Sequence, residues 1–173
     1  YLESVSSENQ GNFSKFSDGY LEIYLSNFYL FLEAFKEMIP DKRASLTVDD
    51  LQKIKIENEY DLQHLLYAAL RPLYGDIRRE VTEDSGVGAI RSDLKIPSLN
   101  AVIEAKCSRK SMNLKMLTEQ IEADIVHYKA DSIYFYVYDK EKIIKDRAAF
   151  ETCFNRNFDG KRIRIIILQP VSL

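Results

Sequence analysis

Two cysteines in 173 residues, Cys107 and Cys153, are too few for a disulfide framework, and they show no C-x-x-C spacing. Cys107 directly follows Lys106 and reads as a buried, idle thiol. Long apolar runs are missing as well. None reaches the roughly 18 residues that a membrane-spanning helix needs, and no signal peptide is visible, so a cytoplasmic location is expected. Excess positive charge is also lacking: the formal net charge is −3, which does not advertise a nucleic-acid partner. The deficit is uneven, however. Residues 1–61 hold 6 Lys/Arg against 12 Asp/Glu, whereas residues 62–173 hold 18 against 15. Phosphate contacts need only a local basic surface. Gly86 and Gly88 suggest a phosphate-cradling loop, but no G-K-[ST] follows and no helix opens there, so a simple turn is expected. His64 has no second ligand near it in sequence and reads as a surface or packing residue. The chain begins at Tyr1 rather than Met, which leaves room for a larger parent protein.

What is present suffices for a sizeable core, since 46% of the residues are hydrophobic. After an irregular Ser/Asn/Gly-rich start, Tyr20, Ile23, Tyr24, Phe28, Phe31 and Phe35 predict one helix from Asp18 to Met38, ended by Pro40. An aromatic stripe of this kind is core or partner-packing surface. Thr47 caps a short helix running to about Lys53. A helix over Asn58–Leu73 buries Leu62, Leu65, Leu66, Ala69 and Leu73 and closes at Arg71-Pro72. A strand over Ile77–Val81 and a loop over Thr82–Gly88 follow. Beyond a hairpin come a helix over Lys115–Lys129, with Leu117, Ile121, Ile125 and Tyr128 inward, and a strand over Ile133–Tyr138 buried on both faces. That strand is expected to run parallel to the hairpin through the helical crossover. A helix over Arg147–Phe154 and a strand over Arg162–Leu168 complete an α/β/α sandwich around a mixed sheet. Residues 1–56 are expected to form a helical extension before the main domain at 57–173.

The hairpin carries the chemistry. RSDLKIPSLNAVIEAK reads as one strand ending near Asp93, a Pro-Ser-Leu-Asn turn, and a second strand over Ala101–Lys106. Alternation puts Val102, Glu104 and Lys106 on one face, with Ile103 and Ala105 on the other. A turn at 97–100 brings Asp93 opposite Glu104. A surface ion pair is one explanation for the three charges. The other is a metal site, because Glu104 follows the apolar run Ala-Val-Ile, and buried charge persists only when paired or metal-bound. Mg²⁺, with Mn²⁺ as a substitute, suits Asp93, Glu104 and a backbone carbonyl, that of Ala105. Lys106 could then orient or deprotonate a water on that ion.

D-x(10)-E-x-K in this setting resembles the PD-(D/E)XK, or restriction-endonuclease-like, superfamily. More narrowly, residues 57 to about 150 look like its DpnII/MboI-type branch. The likeness rests on ENEYDLQHLLYAALRPLY, RSDLKI, VIEAK, and LTEQIEADIVHYKA followed by SIYFYVYD. One departure is Lys95 after Leu94, where the family carries aromatic or aliphatic residues; an exposed edge strand would accommodate it. The resemblance implies a restriction-endonuclease-like fold and a metal-dependent endonuclease acting on DNA, with Asp93, Glu104 and Lys106 catalytic. It further implies an acidic contribution from the first helix, where E-x-D-x-Q places Glu59, Asp61 and Gln63, with Gln63 expected as a substrate contact. Glu59 is favoured because it shares a side with Gln63 and Leu66, while Glu59 and Asp61 could equally complement the helix dipole. It also implies that Gln120 and Asp124 orient the lysine and meet the substrate backbone. Without the resemblance those two read as a solvated face. Arg91, Arg109, Lys110 and Lys115 lie close in sequence to the site and are candidate phosphate contacts, though each read singly is an ordinary solvated positive charge.

A free restriction enzyme and an effector module of a larger antiviral defence protein both fit these features. A nuclease fold without activity, serving nucleic-acid binding or protein–protein interaction, is the alternative. Double-strand cleavage needs two active sites, which points towards a homodimer with the aromatic N-terminal helix as its candidate interface.

Overall fold

The structure, a computed structural model, describes residues 17–84 and 89–170. Four of its described α-helices begin where a side chain accepts the first free amide protons. Thr47 and Asp50 form a reciprocal capping box at α3 (Val48–Gln52), as Asn58 and Asp61 do at α4 (Glu59–Leu70). Asn113 accepts from Met116 N at α5 (Leu114–His127), and Asp146 accepts from Ala149 N at α6 (Arg147–Phe154).

The N-terminus departs from expectation. Instead of one helix over Asp18–Met38 there are two, α1 (Asp18–Ser26) and α2 (Phe28–Glu37), broken at Asn27. Asn27 leaves the helical region at φ −98°, ψ 2°, and caps both helices. Asparagine competes with the helical backbone for hydrogen bonds, so it favours such junctions. The break also changes which face is buried. Leu21, Leu25 and Phe28 enter the core, whereas Tyr20 and Ile23 of the expected stripe stay 58% and 60% exposed.

Strands β1 (Arg78–Asp84), β2 (Ala89–Ile96), β3 (Ala101–Cys107), β4 (Ser132–Tyr138), β5 (Arg156–Phe158) and β6 (Lys161–Leu168) form one mixed sheet in the order β1-β2-β3-β4-β6-β5. The three central strands β3, β4 and β6 run parallel, linked through α5 and α6, and the outer pairings are antiparallel. One face packs Leu117, Ile121, Ile125 and Phe150 of α5 and α6 on Val102 and Phe135. The other packs Leu62 and Leu66 of α4 and Leu21 of α1 on Ile103, Tyr134 and Tyr136. The expected α/β/α sandwich is therefore present, and β4 is buried along almost its whole length. Among the described residues no helix is long and apolar enough to cross a membrane.

Three details differ from the sequence reading. β1 continues to Asp84, so Thr82–Asp84 are strand rather than loop; Gly86 and Gly88 lie outside the described residues. β2 is not an edge strand, because β1 covers it. Lys95 is instead half-buried between Arg78 on β1 and Val102 on β3. Short β5, which was not expected, pairs with the start of β6.

The N-terminal helix is fastened to the sheet by polar bonds as well as packing. Ser132 Oγ donates to Asp18 Oδ2 (2.9 Å), and the Tyr134 hydroxyl donates to the Asp18 carbonyl (3.0 Å). Arg162 on β6 pairs with both Asp18 and Glu22.

Candidate active site

The β2–β3 hairpin turns through a short 3₁₀ segment, Pro97–Leu99, and Asn100 in the left-handed conformation (φ 43°), which asparagine tolerates. The ladder then runs Ile96–Ala101, Lys95–Val102 and Leu94–Ile103, and stops. One step further in that register Asp93 stands opposite Glu104, as expected. Side chains replace the ladder there. Asp93 N donates to Glu104 Oε1 (3.1 Å), and Ala105 N donates to Asp93 Oδ2 (3.0 Å). The two strands fork, and the two carboxylates fill the fork.

Lys106, two residues beyond Glu104, shares its face. Its Nζ lies 3.5 Å from Glu104 Oε2 and 2.7 Å from Asp124 Oδ2 on α5. From the other side of the sheet, the first turn of α4 brings Glu59, whose Oε1 accepts from Cys107 N (3.4 Å). Asp61 is engaged elsewhere, its carboxylate capping the helix at Glu57 N (2.9 Å) and Asn58 N (3.2 Å). One turn on, buried Gln63 donates from Nε2 to the Asp93 carbonyl (2.9 Å). Asp93, Glu104, Lys106, Glu59, Gln63 and Asp124 are thus brought together. The side chain of Gln120, half-buried one turn before Asp124, makes no hydrogen bond to a described residue.

The basic side chains stand apart from this cluster. The exposed Arg91 guanidinium pairs with Glu80 (2.6 Å), while Arg109 and Lys110 are exposed on the loop after β3. Lys115 pairs with Glu119 (3.7 Å), and exposed His64 lies beside Arg79. Cys107 is buried and Cys153 exposed, both free.

Sequence reasoning missed one member. Tyr128, expected only as core, is buried at the end of α5. Its hydroxyl, however, lies 2.5 Å from Glu104 Oε1 and 3.0 Å from the Arg91 carbonyl. The available signal was a tyrosine where phenylalanine or leucine would fill the stripe, since a buried phenol needs a polar partner.

A family model described as REase_DpnII-MboI matches residues 21–170. The chain belongs to the DpnII-MboI restriction endonuclease family. Membership implies a DNA endonuclease, with DNA as the substrate class. No curated protein and no solved structure gives a significant match. The DpnII-MboI match spans every element that builds the fork, namely α4, β2, β3 and α5.

The electrostatics of this DpnII-MboI site follow from its burial. Glu104 is 4% exposed, and burial pushes its carboxyl up to about 7, with the neighbouring Asp93 charge adding to the rise. The Lys106 charge and the hydrogen bonds from Tyr128 and Asp93 N offset part of it. Burial likewise raises Asp93, against the pull of the Ala105 amide and Lys106. For Lys106, burial disfavours the charge, but Asp124 and Glu104 outweigh it and hold the ammonium above its ordinary value. Lys106 is therefore a charged donor at neutral pH. Burial and Glu104 also drive the Tyr128 phenol well up, so it stays an O–H donor.

Among the described residues no three His, Cys, Asp or Glu side chains form a metal-holding cluster. Mg²⁺ does not require one. It is held through one or two carboxylates and keeps several waters, and Asp93 with Glu104 supplies such a pair of hard oxygen donors. Both acids are held towards their neutral forms by burial, and a divalent cation is the partner that would keep them ionised.

Proposed function

We propose that this chain is a Mg²⁺-dependent endodeoxyribonuclease of a restriction or antiviral defence system, able also to use Mn²⁺, and acting in the cytoplasm. The observation that carries the reading is the fork: the buried Glu104 carboxylate, the half-buried Asp93 carboxylate and the half-buried Lys106 ammonium meet where the β2–β3 ladder opens. Asp93, Glu104 and the Ala105 carbonyl would hold the ion. When bound, Mg²⁺ supplies Lewis acidity at the phosphate to be cut. Lys106, charged and half-buried, acts as a hydrogen-bond donor to the attacking water and to the charge developing on the phosphoryl oxygens, rather than as a base. The water oxygen bonds to phosphorus as the phosphorus–sugar oxygen bond breaks; the attacking water loses its proton to solvent, and the departing sugar oxygen takes one up from solvent.

Asp124 holds the lysine in place, with Gln120 contributing from the preceding turn. Glu59 supplies further negative charge at the strand end. Gln63 acts through the Asp93 backbone. Arg91, Arg109 and Lys110 meet DNA phosphates, Arg91 leaving Glu80 to do so. Residues 57–173 form the nuclease domain and residues 1–56 a helical extension, either in a free enzyme or in one module of a larger protein. Two copies would pair through α2, a reading supported by Tyr29, Leu30 and Phe31, which are 39%, 48% and 36% exposed.

The test is cleavage of plasmid DNA by the purified chain. Cleavage should stop with EDTA and return with excess Mg²⁺. Asp93→Ala and Lys106→Ala should each lower the rate by about 10²–10³-fold while the chain stays folded by circular dichroism. Variants that cut as well as the parent would overturn the assignment. Salt-sensitive DNA binding by the parent without metal-dependent nicking would instead identify an inactive binding fold.

A further inference from the structure

The last turn of α5 touches both charged groups of β3. Asp124 pairs with Lys106, and Tyr128, whose own amide donates to the Asp124 carbonyl (3.0 Å), reaches Glu104. The Tyr128 hydroxyl sits at the mouth of the fork. It has one proton and two acceptors within reach: Glu104 Oε1 on β3 at 2.5 Å and the Arg91 carbonyl on β2 at 3.0 Å. The shorter contact to the carboxylate takes the proton, because hydrogen bonds to charged acceptors are the stronger ones. Glu104 Oε1 also accepts from Asp93 N, so two donors from different elements fix one oxygen of that carboxylate. Among the described residues, the other oxygen, Oε2, faces only Lys106 Nζ, at a loose 3.5 Å. A side chain so held has one oxygen tied down and one presented.

We propose that Tyr128 is a positioning residue of the DNA-cleaving site: its hydroxyl ties Glu104 Oε1 across the β2–β3 fork, so that Oε2 is presented to the divalent cation. The inference rests on the reading of Asp93 and Glu104 as the metal-holding pair. The packing around the ring does not require the hydroxyl. Tyr128 belongs to the apolar cluster with Ile125, Ile133 and Phe135, which a phenylalanine ring would fill equally well.

Tyr128→Phe removes the donor and keeps the ring. Three quantities should be measured on the full chain: Mn²⁺ affinity by calorimetry without DNA, the half-saturating Mg²⁺ for cleavage, and the Michaelis constant for DNA. Loss of an outer support of this kind weakens metal binding or activity by about 10–100-fold. The expected result is a rise of about tenfold in both the Mn²⁺ dissociation constant and the half-saturating Mg²⁺, with the DNA constant unchanged. Ile125→Val, one turn away in the same core, is the control for loosened packing and should shift neither metal response.

A Tyr128→Phe protein with the parent's metal response overturns the inference and leaves the nuclease assignment standing. Equal shifts in Tyr128→Phe and Ile125→Val also overturn it, because packing alone would then explain them. A parent chain that neither binds Mn²⁺ nor cuts DNA removes the nuclease assignment, and this inference with it.

Discussion

Glu104 is the residue where burial and charge conflict most. Its carboxyl sits at about 7 in the folded chain against an ordinary 4.5, first because burial penalises the anion and second because Asp93 repels it. Between those values the native state holds a proton that the unfolded state has released. Stability should therefore fall as pH rises through that window, by on the order of 2–3 kcal/mol. Asp93, also raised, adds in the same direction. Lys106, whose ammonium is also held above its ordinary value, acts in the same sense but only at alkaline pH, above this window. Glu104→Gln, neutral throughout, should flatten the slope and raise the metal-free stability at pH 8 relative to the parent; urea unfolding at pH 5 and pH 8 measures it. An unchanged slope would mean that Glu104 is not the titrating group. Asp93, Glu104 and Lys106 were legible in the sequence because strand alternation and a short turn dictate which side chains meet. The Tyr128 hydroxyl was not, because helical spacing shows that a ring faces inward but not what its oxygen reaches.

At the level of elements, α4 does more than pack. Its cap residues Asn58 and Asp61 set where the helix starts, which places Glu59 at the end of β3 and Gln63 behind Asp93. Gln63→Leu leaves the Asp93 carbonyl without its donor. The expected cost is about 1–3 kcal/mol of stability, measured by chemical denaturation, together with slower cleavage per folded molecule as Asp93 loses its anchor. A variant as stable and as active as its parent would show that the bond is incidental. The choice between Glu59 and Asp61 was partly legible, since Glu59 and Gln63 are four apart. The capping role of Asp61, visible only in the structure, accounts for the second acid. The split of α1 from α2 was hidden because the aromatic pattern continues through Asn27. The sheet buries Leu21 and Leu25 beside Phe28, the one of these three that the aromatic pattern includes.

Across the whole molecule the N-terminal helix and the fork occupy opposite ends of the central strands. Asp18 meets Ser132 at the start of β4, which pairs with Ala101 at the start of β3, whereas Glu104 lies midway along β3 and Lys106 near its end. Arg162 bridges α1 to β6 through Asp18 and Glu22, in a half-buried setting where solvent screening limits each pair. Arg162→Met should lower stability by about 1 kcal/mol and leave cleavage per folded molecule unchanged, read from a denaturation curve beside an activity titration. A loss of cleavage larger than the loss of folded protein would tie the N-terminal helix to the site after all.

Local rules were enough for the hairpin, its register, the parallel crossover and the order of most elements, because these depend on alternation, capping side chains and turn chemistry within a short stretch of chain. Tertiary packing settled the rest: the cover that β1 gives β2, the break at Asn27, the lysine held by Asp124, and the tyrosine closing the fork. The Lys106–Asp124, Glu104–Tyr128 and Asp18–Ser132 contacts join residues from about 18 to more than 100 positions apart in the chain. Their geometry exists only once two helical layers have closed on one sheet and removed the water that would otherwise satisfy each polar group.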